Sequence, residues 1–232
     1  MNSWQWIHMA LSDWEIILGE GLMLSDKYKA SGKKSLSQDL GKGSVHMVHT
    51  ATYNDAPKNV EIRTWMTHDD NIYSGAYYII GVIARKQSGA DTYFYGVLDI
   101  GVDTSDGIAE VTFDAGYYIN GSQTSKVNSD ITDTFRDVVG DTWVYGKWIF
   151  VRMLAYEISG QFNIVFESTP VIDTPDVSNP PLDQLTGLTS ATIDIPTELQ
   201  NGGACGIIVG NVKFDSSTDN CYPYYDYTQI FY

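Results

Sequence analysis

The residues equipped for chemistry in this 232-residue chain recur in steps of two. Glu61, Arg63 and Trp65 make one row, Tyr93, Tyr95 and Asp99 a second, and Trp148 with Arg152 a third. Alternate residues of a β-strand project from one face, so each row reads as one side of a strand. Rings set beside carboxylates and guanidinium groups suit a polyhydroxylated ligand. A sugar lays its C–H faces on aromatic rings while planar polar side chains bond its hydroxyls. These rows are therefore the expected contacts for a glycan or a surface receptor.

Other chemistry is thinly provided. His46 and His49 lie three residues apart, so on a regular strand they point to opposite faces and do not share a zinc ion. Asp103-Thr104-Ser105-Asp106-Gly107 lacks the acidic spacing and distal Glu of a calcium loop and reads as a turn. Nucleophile elbow, P-loop and dinucleotide fingerprint are absent. Cys205 and Cys221 form either one disulfide or two free thiols. A final hairpin turning at Ser216-Ser217 would set Cys205 opposite a residue near Gln229, which favours free thiols.

Net charge is −15, which repels nucleic acid and anionic membrane surfaces. The acidic side chains are 22 Asp and only 7 Glu, and aspartate prefers turns and caps to helix interiors. No apolar run has the length of a membrane span, so membrane insertion is not expected. The start, Met1-Asn2-Ser3-Trp4-Gln5-Trp6, has no basic segment ahead of an apolar one. A chain with this start that works at an extracellular or virion surface would reach it by release through lysis or after removal of a signal. Exposed Trp4 and Trp6 would form a docking patch for a homo-oligomer or a larger particle.

The elements that must carry these rows are short strands. Residues 1–24 read as an N-terminal strand pair broken at Gly19-Glu20-Gly21, and a hairpin is expected about Ser31-Gly32-Lys33. Val60, Ile62 and Met66 alternate with Glu61, Arg63 and Trp65, one face apolar and the other polar and aromatic. Residues 76–84 are apolar throughout, as befits a central strand covered on both sides, and Thr92 to Val102 return beside them. Ile108 to Ile119 end at Asn120-Gly121, a strong turn signal. Residues 130–139 read as the one helix, with Ile131, Phe135 and Val138 on its apolar side and Ser129 or Asp130 as cap. Trp148, Phe150 and Arg152 oppose Ile149, Val151 and Met153. Residues 168–200 hold Pro170, Pro175, Pro180, Pro181 and Pro196 and read as a long ordered loop with short edge strands at most. Gly203 to Phe214 and Tyr224 to Tyr232 read as a closing hairpin.

Four of these segments, in this order, resemble concanavalin A-like jelly rolls: laminin-G-like domains, legume-type lectins, carbohydrate-binding modules and related glycanases. They are the Tyr28–Ser37 hairpin, the 76–102 hairpin, Gly146-Lys147-Trp148 with its following strand, and the Gly-rich strand before Tyr225-Asp226-Tyr227. The resemblance implies an all-β, antiparallel two-sheet sandwich over residues 1–232 as a single jelly-roll domain. It implies carbohydrate binding or adhesion at a particle or cell surface, a structural or decorating subunit being the alternative. Asp226 matches an aspartate that helps hold a structural Ca²⁺ in such folds. Enzymes of the group would need Glu-x-Asp-x-x-Glu on one strand, or a Gln-x-His segment with a tyrosine-rich strand. This chain has no Glu-x-Asp, and none of His8, His46, His49 and His68 sits in such a segment. The reading is recognition rather than turnover, with a glycanase or lyase of convergent carboxylates as a second alternative.

Overall fold

The computed structural model describes residues 13–20, 22–25, 30, 35–38, 43–68, 76–102, 107–144, 146–213 and 223–232. Within them the strands in chain order are β1 (Trp14–Leu18), β2 (Leu22–Ser25), β3 (Ser35–Gln38), β4 (Gly43–His49), β5 (Val60–His68), β6 (Ala76–Lys86), β7 (Tyr93–Val102), β8 (Ile108–Ile119), β9 (Ser122–Asp130), β10 (Ile149–Ile158), β11 (Gln161–Ser168), β12 (Thr186–Asp194), β13 (Ala204–Lys213) and β14 (Pro223–Phe231). A single helical turn, α1 (Thr52–Asp55), follows β4, and α2 (Thr132–Val139) follows β9. Sheet I has the order β1-β4-β13-β6-β7-β8-β9, and sheet II the order β12-β11-β10-β5-β14-β3-β2. Every strand pair is antiparallel. The two sheets face each other across one apolar core, so the chain is an all-β sandwich.

The apolar halves of the alternating strands make that core. Ile62, Met66, Val151, Met153, Ile164 and Phe166 from sheet II meet Ile80, Phe94, Leu98, Val111 and Phe113 from sheet I. Phe94 stacks on Phe162 with centroids 4.0 Å apart, and Phe113 meets Phe166 edge-on at 5.6 Å. Gly96 lets Ile164 approach so closely that a Cβ there would stand 2.5 Å from its Cγ2. Tyr225 crosses the interior from β14, its hydroxyl donating to the carbonyl of Ile79 on β6. At one end Arg85 is wholly buried, donating to the carbonyls of Lys58 and Leu199 and pairing with Glu157 at 2.6 Å. A buried guanidinium keeps its charge only where such partners surround it.

Several expectations hold. β5 buries Val60, Ile62 and Met66 on one side, β6 is buried on both, and α2 buries Phe135 with Ile131. The N-cap of α2 is Ile131, not Ser129 or Asp130; Asp130 ends β9 and accepts the Thr132 N–H at 2.8 Å from one residue further out. Asn120 and Gly121 have φ of 50° and 80°, the turn their sequence signals. β2 and β3 pair as hairpin arms, while the turn at residues 31–34 lies outside the described residues. So do Trp4, Trp6, His8, residues 103–106 and Cys221.

Three further expectations are corrected. β1 and β2 do not pair: the break between them carries the chain from sheet I to sheet II. β13 and β14 are not a hairpin either, for β13 lies between β4 and β6 in sheet I and β14 between β5 and β3 in sheet II. Sequential strands more often neighbour one another, but here the chain crosses between layers, and both strands have inward apolar rows that serve either sheet. Cys205 accordingly faces the core as a buried thiol, pushed up to about 12 by that burial. The 168–200 segment is no mere loop, since β12 is a nine-residue edge strand beside β11. Its Leu188, Ala191 and Ile193 point inward, and its prolines lie outside it.

Candidate functional site

On sheet I the register of β7 with β8 sets Tyr93 opposite Tyr118, Val97 opposite Asp114 and Asp99 opposite Thr112. β6 lies on the other side of β7, with Ile79 opposite Asp99 and Ile83 opposite Tyr95. Tyr93, Tyr95, Val97 and Asp99 thus share the outward face that the step of two requires. β4 brings Ser44 and His46 to the same face, and β13 brings Ile208. The strands bound a cavity of about 190 Å³ lined by Ile79, Val97 and Ile208 with Tyr95, Tyr118, Asp99, Asp114, Gln123, Ser44 and His46.

Its polar wall is tightly cross-linked. The Tyr95 hydroxyl donates to Asp114 Oδ2 at 3.0 Å and accepts from Gln123 Nε2 at 2.9 Å. Ser125 Oγ donates to the other oxygen of Asp114 at 2.5 Å, and the Tyr118 hydroxyl donates to Gln123 Oε1 at 3.0 Å. His46 Nδ1 and the Tyr93 hydroxyl are 2.9 Å apart. Tyr118 stacks on Tyr93 at 4.8 Å and meets Tyr95 edge-on at 5.4 Å. Tyr93 and Tyr95 are each only 2% exposed, so they brace the wall from beneath, and Tyr118 offers the half-buried ring. The expectation that Tyr93 and Tyr95 lie open is corrected accordingly: Tyr118 packs on both rings, and Val48, Ile83 and Ile208 bury them in a second apolar cluster.

Electrostatically the cavity is acidic. Burial, helped by the negative charge of Asp114, pushes the Asp99 carboxyl up to about 6. Burial lowers His46 to about 4, so the imidazole is neutral at ordinary pH. Burial also raises the Tyr93, Tyr95 and Tyr118 hydroxyls, which remain protonated donors. Asp99 receives no hydrogen bond or ion pair from a described residue, in contrast to Asp114 beside it.

The remaining expected contacts lie on the outer face of sheet II and do not join this cavity. Glu61 pairs with Arg63 at 2.6 Å, and Arg152 pairs with Glu167 across β10 and β11. Arg63 also sits over the Phe231 ring at 4.3 Å. Trp65 is 0% exposed and Trp148 4%, and together with Phe150 they form a sealed aromatic cluster. Residues 169–185 run over it as a strap, Ile172, Val177 and Leu185 packing on the rings. Trp148 and Ile172 exchange backbone hydrogen bonds of 2.8 and 2.7 Å, which fixes the strap in place. The expectation that Trp65 and Trp148 stack an external ligand is therefore corrected. Alternation shows that they leave the core, but the proline-rich segment supplies a second cover.

Asp226 lies in β14 with its Oδ1 accepting the Tyr227 N–H at 2.7 Å. No group of three His, Cys, Asp or Glu able to hold a metal ion occurs among the described residues. His46 and His49 do point to opposite faces, His46 to Tyr93 and Tyr118 and His49 to Trp14. Among the described residues no helix is long and apolar enough to cross a membrane.

His46, Asp114, Tyr118 and Gln123 were not anticipated as site residues. One signal was present for two of them: a two-residue turn at Asn120-Gly121 fixes the first pairs of β8 and β9 and so sets Tyr118 opposite Gln123, whereas Asp114 lies beyond a register shift and His46 on β4.

No family model matches the sequence, and no curated protein is similar to it. Among solved structures it is similar to the carbohydrate-binding module CBM66 from Bacillus subtilis, at 12% identity and a TM-score of 0.43 over 94% of this chain and 95% of that one. It is also similar to a legume lectin-like domain from Entamoeba histolytica, at 10% identity and a TM-score of 0.47 over 91% and 89%. For the binding domain of a botulinum neurotoxin DC the values are 15% and 0.41, over 92% of this chain and 42% of that one.

Proposed function

We propose that this chain is a carbohydrate-binding domain whose ligand sits on the outer face of sheet I, between Tyr118 and the pair Asp99 and Asp114. The observation that carries this is the cavity of about 190 Å³, with an apolar floor, a half-buried tyrosine wall and convergent carboxylate, amide and hydroxyl groups. That is the composition of a small-ligand site in which a few placed polar groups fix orientation. Tyr118 supplies the stacking ring, Asp99 accepts from ligand hydroxyls, and Gln123 and Ser44 border the ligand. The same site would serve adhesion to a glycan-coated surface. The test is a glycan array followed by calorimetry on its hits. Tyr118→Ala should lower affinity at least tenfold at unchanged fold, while Glu61→Gln on the other sheet leaves it alone. An array with no hits, or hits insensitive to Tyr118→Ala, refutes the proposal.

One observation favours a hydrolytic reading as well. Asp99 and Asp114 are two carboxyls in one cavity, one of them displaced toward neutrality, the arrangement acid–base catalysis uses. Release of new reducing ends from a bound oligosaccharide, abolished by Asp99→Asn, would establish it. Binding without release leaves the domain a lectin.

A further inference from the structure

This inference rests on the carbohydrate reading and names the ligand class. The cavity on sheet I has two carboxylates and no lysine or arginine among the residues that line it. Its imidazole, His46, is buried and engaged with Tyr93 and Ser44. The two carboxylates differ in how they are satisfied. Asp114 accepts from Tyr95, Ser125 and, at 3.5 Å, Gln123, whereas Asp99 accepts from no described residue. A partly buried carboxylate with no donor is an uncompensated charge. The half-buried ring of Tyr118 on the wall of the same cavity presents a π-system that attracts a cation.

We propose that the site recognises a sugar bearing a free primary ammonium, a hexosamine unit, with the ammonium paired to Asp99 and the sugar face against Tyr118. The ammonium supplies the donor that Asp99 lacks, and an acidic sugar such as a uronate is excluded by the two carboxylates. A neutral hydroxyl at the same position would bond Asp99 but leave its charge unbalanced.

Charge states set a pH window. The titratable groups facing Asp99 are His46 from β4, Tyr77 from β6, Tyr95 from β7, and Glu110, Asp114 and Tyr118 from β8. The tyrosines and His46 stay neutral near pH 7. Asp99 becomes anionic above about pH 6, so the preference for the amine is present at pH 7 and fades by pH 5 as Asp99 takes a proton. A bound ammonium favours the carboxylate and must lower that midpoint.

The experiment is an NMR titration of the full chain at pH 7 with glucosamine and galactosamine, their N-acetyl forms, and glucose and galactose. The amines should bind at least tenfold tighter than the neutral sugars, moving Tyr118 and Gln123 resonances, and the Asp99 carboxyl should titrate lower when they are bound. Asp99→Asn should erase the preference, bringing the amines to the same affinity as the neutral sugars measured on that variant. Asp133→Asn, which removes the same charge from the exposed side of α2, should leave the preference intact. Equal affinity for amines and neutral sugars at this site overturns the inference and leaves the carbohydrate reading standing. No shift at Tyr118 or Gln123 with any sugar overturns both. An equal loss in Asp133→Asn shows a general attraction to the −15 chain and also overturns the inference.

Discussion

The outer faces of the two sheets start from similar material and end differently. Each carries a row of rings and charges in steps of two, Glu61-Arg63-Trp65 on sheet II and Tyr93-Tyr95-Asp99 on sheet I. On sheet II the charges pair among themselves and the rings are roofed by residues 169–185. On sheet I Tyr53 of α1 and Ile17 of β1 pack on the cluster that holds Tyr93 and Tyr95, but Asp99 accepts from no described residue and a cavity remains beside it. The difference teaches that leaving the core is not the same as reaching solvent. A face becomes a site only where no second layer satisfies it.

The largest effects should break along this division. Trp148→Ala removes a ring sealed on all sides, a change that typically costs about 3–5 kcal/mol. Urea unfolding should show that loss, and the residual folded protein should bind sugar normally. Should Trp148→Ala bind poorly while losing under 1 kcal/mol, the strap would be a lid over a site, and the comparison would reverse.

The next effects come from two groups of the open face that pull in opposite directions between pH 4 and 6.5. His46 is lowered in the fold, so its contribution is present above pH 6.5 and lost as pH falls toward 4, about 3 kcal/mol in all. Asp99 is raised, so stability is greatest below the ordinary carboxyl range and is lost as pH rises through about 6. Its share is about 2 kcal/mol after discounting for partial exposure. In the native chain the two slopes largely cancel. Asp99→Asn should therefore gain about 2 kcal/mol at pH 8 and little at pH 4, and should sharpen acid unfolding. A pH-independent gain would mean that Asp99 is not strained by its burial.

How much of this was legible in the sequence follows from what a strand's period encodes. Period two separates core from non-core, and so the β5, β6, β7 and β10 faces were readable from residues such as Ile62 and Val151. It does not say what lies above a non-core face, which is why Trp65 and Trp148 read as open. Layer assignment was equally hidden. β13 and β14 each have an apolar inward row, and nothing local distinguishes a hairpin from a crossover between sheets. β9 went unread for a related reason: Ser-Gln-Thr-Ser-Lys-Val-Asn-Ser is polar on both sides because it is an edge strand. That missing strand is the one that brings Gln123 and Ser125 to Asp114.

Tyr118 tests the open face itself. Tyr118→Phe keeps the ring but loses the donor to Gln123, whereas Tyr118→Ala loses both. Sugar affinity should fall at least tenfold for alanine, about 1.4 kcal/mol, and only a few-fold for phenylalanine. Equal losses would shift the weight from stacking to the Tyr118–Gln123–Tyr95 hydrogen bonds.

The smallest effect should be found in the charge ladder of sheet II. Arg152 and Glu167 are directly opposite on β10 and β11 and both partly exposed, and Arg63 is opposite Arg152 on β5. Glu167 therefore offsets repulsion between two guanidinium groups as well as pairing with one. Glu167→Gln removes that charge but keeps an acceptor, and partly exposed pairs are worth about 0–1 kcal/mol. The expected result is a loss within that range, shrinking in high salt because the remaining Arg63–Arg152 repulsion is screened. Sugar binding should not change. A change in binding would mean that sheet II, ladder and strap included, communicates with the cavity across the core, which its self-paired charges give it no means to do.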